Sequence, residues 1–157
     1  MSTQETQLQN HGFAGRSANK VDAKGRLNIP TAFRKMLAPD QRDEVVIFFV
    51  PTGHLLLFNK KYWISTIQQS IVDKSHVIGK ENMWRVLHRL NEQLHMSTVD
   101  SQGRITIPGW LLKKAGIEKE VITFGTYDRI SVWAQDAYDR WVGAVDIDNV
   151  ISDIGLY

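Results

Sequence analysis

Val21-Asp22-Ala23-Lys24-Gly25-Arg26-Leu27-Asn28-Ile29-Pro30 returns 78 positions later as Val99-Asp100-Ser101-Gln102-Gly103-Arg104-Ile105-Thr106-Ile107-Pro108, with six of the ten residues identical. A repeat of this length marks one supersecondary unit used twice. From average residue usage, six matches in ten arise in a chain of this size roughly one time in ten, so the motif needs support from its flanks. The flanks supply it. After the first copy come Thr31 to Leu37, Glu44 to Val50, Leu55 to Phe58 and the pair Tyr62-Trp63. After the second come Gly109 to Ala115, Glu120 to Phe124, Ile130 to Trp133 and Tyr138 to Trp141. The same order at similar spacing identifies a tandem duplication.

The 157 residues make one ordinary domain or two very small ones. Modules of about 45 residues lie below the size that usually folds alone, so the two are expected to share a core. The chain has no cysteine, which excludes a disulfide framework and a thiolate metal site and fits a reducing cytoplasm. The first twelve residues are polar, with no apolar stretch of a signal peptide, and are expected to be disordered. No apolar run approaches the roughly 20 residues of a membrane span, so no membrane partner is expected.

Net charge is only +2, but it is unevenly spread. Arg16, Lys20, Lys24, Arg26, Arg34 and Lys35 face only Asp22 between positions 16 and 37, a local +5. From Tyr138 to the end the balance is −3. Such a gradient can present one positive face, although clustered charges are also often no more than a solvated surface.

Along the chain, Arg16 to Val21 reads as a strand and Asp22 to Gly25 as a turn shaped by an aspartate acceptor and a left-handed glycine. Arg26 to Ile29 resumes as a strand, with Leu27 and Ile29 on one face and Arg26 and Asn28 on the other. Pro30 opens a helix that Pro39 ends. Val45 to Val50 is a strand buried on both sides, and His54 to Phe58 returns after a turn at Pro51 to Gly53. In the second module Asp100 to Gly103 is the turn, and a helix runs from Pro108 to Gly116. Val121 to Phe124 and Ile130 to Trp133 then form the second hairpin. Lys60 to Met96 reads as helical, with Met83, Leu87, Leu90 and Leu94 as a packing stripe beside Trp84. Asp136 to Val145 matches a final helix, and the tail from Asn149 carries no clear pattern.

These motifs resemble the MraZ family of transcriptional regulators, built from two AbrB/SpoVT-type modules. The resemblance rests on Asp22 to Pro30 and Asp100 to Pro108, with Gly15, Leu55 to Phe58, Ala115-Gly116-Ile117 and Ile130 to Trp133 in comparable places. It covers about Gly15 to Trp141. It implies an α+β, strand-rich fold: a tandem swapped-hairpin, pseudo-two-fold barrel with intervening helices. The divisions it suggests are a flexible extension over 1–15, module one over 16–62, a helical insert over 63–93, module two over 94–137, and a terminal helix and tail over 138–157. It also implies ring-like homo-oligomers that bind short direct repeats of double-stranded promoter DNA before the family's own cell-division and cell-wall operon. The protein is then expected in the cytoplasm, at the nucleoid.

Within that resemblance, Arg26 and Arg104 are the expected base readers, since a guanidinium fork fits guanine O6 and N7. Lys24 and Gln102 sit at the turn tips, and Lys20, Arg16 and Arg34 are expected on phosphates. Asp22, Gly25, Asp100 and Gly103 shape the turns. The bland alternative for each arginine is a salt bridge to Asp22 or Asp100, and the two roles can coexist. Lys24 is matched by Gln102 and Arg34 by Leu112, so module one is expected to supply more of the phosphate attraction.

No catalytic motif stands out, and no cofactor, metal or small-molecule substrate is expected. His88, Glu92 and His95 fall on one face of the presumed helix, but two turns separate the histidines by about 10 Å, too far for one ion. The five tryptophans lie on apolar stripes and are expected in the core or between subunits. The rival reading is an interaction protein of the antitoxin type, since AbrB-type modules also occur there.

Overall fold

The computed structural model describes residues 12–157, so residues 1–11 of the extension expected over 1–15 lie outside the described residues, and its last three belong to a strand. Strand β1 (Phe13–Lys20) begins three residues before the expected Arg16, and β2 (Arg26–Asn28) follows the Asp22 turn. Helix α1 (Thr31–Leu37) starts after Pro30 and buries Phe33 and Leu37. The first hairpin is β3 (Glu44–Val50) and β4 (His54–Asn59). Helical segments α2 (Lys60–Tyr62), a π-helical Trp63–Gln68, α3 (Gln69–Asp73), α4 (Ser75–Ile78) and α5 (Lys80–Asn91) form the insert. The plan then repeats as β5 (Leu94–Thr98), β6 (Arg104–Thr106), α6 (Gly109–Lys114), β7 (Glu120–Tyr127) and β8 (Arg129–Trp133). Helices α7 (Gln135–Val142) and α8 (Ile147–Asp153) close the chain.

Each module completes the other's sheet. The described strands form a six-stranded antiparallel sheet in the order β1-β7-β8-β4-β3-β5 and a separate two-stranded ribbon, β2-β6. Strand β1 of the first module pairs with β7 of the second, and β5 of the second pairs with β3 of the first. Leu27 pairs with Ile105 at the centre of the ribbon, and Leu56 with Ser131 at the centre of β4-β8. Both pairs join positions equivalent in the repeat, so a pseudo-two-fold axis passes through them.

The expected barrel is not closed. Strands β1 and β5 stand at opposite ends of the sheet order and do not pair with each other. After each of them the chain turns into a three-residue strand, and those two short strands pair together instead of zipping the edges.

Alternation along β3 and β4 serves two cores, as the continuous apolar run requires. Val45, Ile47, Leu55 and Leu57 face the main core with Leu27 and Ile105 of the ribbon and with Ile29 and Ile107 just after its strands. Val46, Leu56 and Phe58 face the insert, packing on Tyr62 and Trp63. Burying each such side chain contributes about 1.5–3 kcal/mol. Tyr62 Oη donates to Asp128 Oδ2 at 2.8 Å, which fixes the start of the insert to the second hairpin.

Two helix expectations change. The insert stops at Asn91, and Leu94 and Met96 belong to β5, opposite Phe48 and Val46. His95 is therefore on a strand, so His88, Glu92 and His95 share no helix face. The tail, without an evident pattern in sequence, forms α8, whose N-cap Asp146 accepts from Asn149 N at 3.2 Å. Trp63 and Trp133 are buried, whereas Trp84, Trp110 and Trp141 are exposed.

Candidate nucleic-acid interface

The ribbon places the two expected arginines on one surface. Strand alternation sends Leu27 and Ile105 into the main core, fully buried, and turns Arg26, Asn28, Arg104 and Thr106 outward. Arg26 is directly opposite Thr106, and Arg104 opposite Asn28. Four outward side chains thus alternate around the pseudo-axis. Asn28 and Thr106 were not singled out in sequence, yet sharing strand parity with the arginines was signal enough to find them.

Each arginine is clasped by the aspartate that opens its turn. Asp22 Oδ1 accepts from the backbone N–H groups of Lys24 and Arg26, both at 2.9 Å. Its Oδ2 accepts from Arg26 Nε at 2.6 Å. Asp100 repeats this with Gln102 N and Arg104 N at 2.9 Å and Arg104 Nε at 2.9 Å. The backbone N–H of each arginine is the main force holding its aspartate below the ordinary value of 3.8, with the guanidinium adding to it. Both aspartates therefore stay charged at neutral pH. In each clasp it is Nε that donates to the carboxylate, and no hydrogen bond from a terminal guanidinium nitrogen to the aspartate accompanies it. Salt bridge and reader are compatible roles, and the salt bridge half of that pair is present.

The turn glycines do what turn chemistry requires. Gly25 and Gly103 have φ of +79° and +78°, the left-handed region that favours glycine. Gly25 O accepts from Ile107 N at 2.8 Å, and Gly103 O accepts from Ile29 N at 2.9 Å, so each turn also caps the other module's ribbon strand.

The remaining expected contacts are dispersed. Lys24 and Gln102 are exposed at the turn tips. Lys20 is exposed on β1 opposite Glu120. Arg16 lies four residues back along β1, about 13 Å away. It is on the strand face opposite to that of Phe13 and Val21, which enter the main core under the ribbon. The structure does not bring Arg16 to the ribbon arginines. Arg34 donates from Nε to Ile29 O at 2.8 Å and from a terminal nitrogen to Thr31 Oγ1 at 3.3 Å. Its guanidinium packs against Gly103 of the other module, beside a cleft that Asp100 and Lys35 also line. Charge assigned to module one by sequence is thus delivered to the turn of module two.

Among the described residues, no group of three or more His, Asp or Glu side chains is placed to hold a metal ion. No described helix is long and apolar enough to cross a membrane.

A duplicated chain that exchanges strands about an axis, and sets two clasped arginines on an exposed ribbon, is a pseudo-symmetric α+β protein with a candidate binding surface on that ribbon. Comparison with known sequences narrows this. A family model described as "MraZ protein, putative antitoxin-like" matches residues 13–82 and 94–148. The protein named "Transcriptional regulator MraZ" of Xanthomonas campestris pv. campestris (strain 8004) is 31% identical over 147 residues, spanning 90% of this chain and 95% of that one. The like-named protein of Christiangramia forsetii is 32% identical over 122 residues, 77% of each chain. That of Maridesulfovibrio salexigens is 28% identical over 142 residues, 90% of this chain and 93% of its own. The chain belongs to the MraZ family. Its relatives carry the name of regulators, a non-enzymatic family.

Proposed function

We propose that this protein is a sequence-specific, DNA-binding transcriptional regulator. Its two modules are of the AbrB/SpoVT type, and several copies join in a ring that reads short direct repeats before its own division and cell-wall operon. The observation that carries this reading is the pair Arg26 and Arg104, outward on one ribbon and oriented by Asp22 and Asp100. A two-stranded ribbon fits a major groove about 12 Å wide, where a guanidinium fork bonds guanine. Lys24, Gln102, Lys20 and Arg34 supply phosphate and edge contacts, which position the protein without specifying sequence. Arg16 is a more distant phosphate contact. The protein acts in the cytoplasm, on the nucleoid.

One such surface carries few cations and binds weakly. Linked copies raise affinity through effective concentration, which gives a ring reading tandem repeats its physical reason. Footprinting of purified protein on the DNA upstream of its own gene tests the whole reading: periodic protection is expected. Absence of any protection removes it. The wording "antitoxin-like" in the matched family favours a second reading, an interaction protein that neutralises a toxic partner. Co-purification with one small protein and no footprint would select that alternative.

A further inference from the structure

The pseudo-axis through Leu27 and Ile105 has a consequence for the shape of the DNA site. Arg26 and Arg104 are equivalent under it, and each is held by its aspartate in the same way. Two identical readers across an axis would select a palindrome. The residues interleaved with them are not equivalent in chemistry: Asn28 on one side of the axis becomes Thr106 on the other. Both are exposed, and neither side chain makes a hydrogen bond to another described residue. Each is the cross-strand neighbour of an arginine, with Cβ atoms about 4.5–5.5 Å apart. The two pairs, Arg26 with Thr106 and Arg104 with Asn28, stand two residues apart along the ribbon, about 6.6 Å. That is close to two base steps of roughly 3.4 Å.

We propose that Asn28 and Thr106 are specificity-determining residues that give each subunit's DNA site a direction. The inference rests on the DNA-binding reading above. Asn28 presents a carbonyl and an amide side by side, the pattern that pairs with adenine N6 and N7. Thr106 offers a methyl group for the thymine methyl and a hydroxyl that bonds either donor or acceptor edges. The arginines then fix the centre of the site, while their two neighbours make its halves unequal. The further mismatch of Lys24 with Gln102 at the turn tips acts in the same sense. A directional site is read only in one orientation, so copies around an assembly require repeats that all point the same way.

The test selects random-sequence duplexes of about 30 base pairs with full-length protein, followed by sequencing and by fluorescence anisotropy at several salt concentrations. Wild type is expected to enrich a non-palindromic motif. The exchange variant Asn28→Thr with Thr106→Asn is expected to enrich a motif in which two base preferences trade places. Asn28→Ala and Thr106→Ala each lose roughly five- to hundred-fold discrimination at one position, with the salt slope kept because phosphate contacts remain. These alanines also stand in should the exchange variant misfold, since elution volume and circular dichroism report folding. A palindromic wild-type motif, or an unchanged motif in all three variants, overturns the proposal while leaving DNA binding intact. No enriched motif and a flat salt response would instead remove the DNA-binding reading, and this inference with it.

Discussion

Arg34 covers Gly103. Its guanidinium occupies the space that a side chain at that glycine would need, whereas Leu112, 78 positions after Arg34, only lines Gly25 at ordinary contact distance, 3.7 Å from where a side chain there would begin. One contact is charged and the other apolar, although the two turns are alike. Arg34→Leu would make the halves match. Its fold is expected to survive at a cost on the order of 1 kcal/mol, from the bond lost to Ile29 O. Operator affinity is expected to fall, with the slope of log affinity against log salt reduced by about one. Wild-type affinity and slope in an anisotropy titration would make Arg34 purely structural.

Gly25→Ala and Gly103→Ala are expected to differ. Both place alanine at positive φ, which costs roughly 1–2 kcal/mol. At Gly25 the new Cβ meets the backbone oxygen of Ile107, at 2.5 Å. That backbone is pinned, because Ile107 N donates to Gly25 O. At Gly103 the three nearest atoms all belong to the end of the Arg34 side chain, which can shift at the cost of its bonds to Ile29 O and Thr31 Oγ1. Thermal melts are expected to rank Gly25→Ala as the more damaging change, and the opposite ranking would refute the packing argument.

Arg26→Ala and Arg104→Ala are each expected to weaken operator binding while the oligomer's size stays unchanged. Anisotropy and size-exclusion chromatography measure the two properties separately. Unaltered affinity in both variants would remove the site assignment.

Asp22 and Asp100 set an acid limit on that site. Both have depressed pKa values, so the stability they add is present above the ordinary value near 3.8 and is lost as pH falls through the lowered one. Asp22→Asn with Asp100→Asn keeps the shape but removes the charge. The double variant is expected to be less stable than wild type at pH 7 and to lose less on acidification to pH 3, as followed by circular dichroism.

His54 gives a second pH response, in a less acidic range. It is buried against Trp133, with ring centroids 3.7 Å apart, and bonded through Nδ1 to Thr52 Oγ1 at 2.8 Å. Burial, aided by the charge of Arg129, lowers its pKa from 6.5 to about 4. The folded state then binds fewer protons than the unfolded state between those values, so stability falls as pH drops from 6.5 towards 4. His54→Phe is expected to flatten the stability profile in that window, as measured by urea titration at several pH values. An unchanged slope would place the titration elsewhere.

Much of this architecture is legible in the chain. The duplicated decapeptide, the double-sided burial of Val45 to Val50 and the outward parity of Arg26 all follow from local periodicity, and the structure agrees. Other features needed long-range pairing. Leu94 continues the helical spacing of Leu87 and Leu90, but it also alternates with Met96 as a strand does. Only the edge offered by β3 decides between them. Whether β1 and β5 meet to close a barrel depends on how the sheet curves, which neither strand encodes by itself. The helix at Ile147–Asp153 was signalled by Asp146 three residues before Asn149, a cap that the short apolar pattern obscured. Arg34 reads locally as one more cation of the first module, and only the exchange of elements between halves carries it to the second turn.

That exchange makes the halves mutually dependent. Strand β1 finds its neighbour 100 or more residues away, in β7, and β5 finds its own in β3. Cutting the chain near Gly79 would leave two fragments with raw sheet edges, each supplying what its mate lacks, so they would recombine as a heterodimer. Read backwards, the same geometry describes how a gene fusion can lock a former homodimer into one polypeptide and free its twin surfaces to diverge.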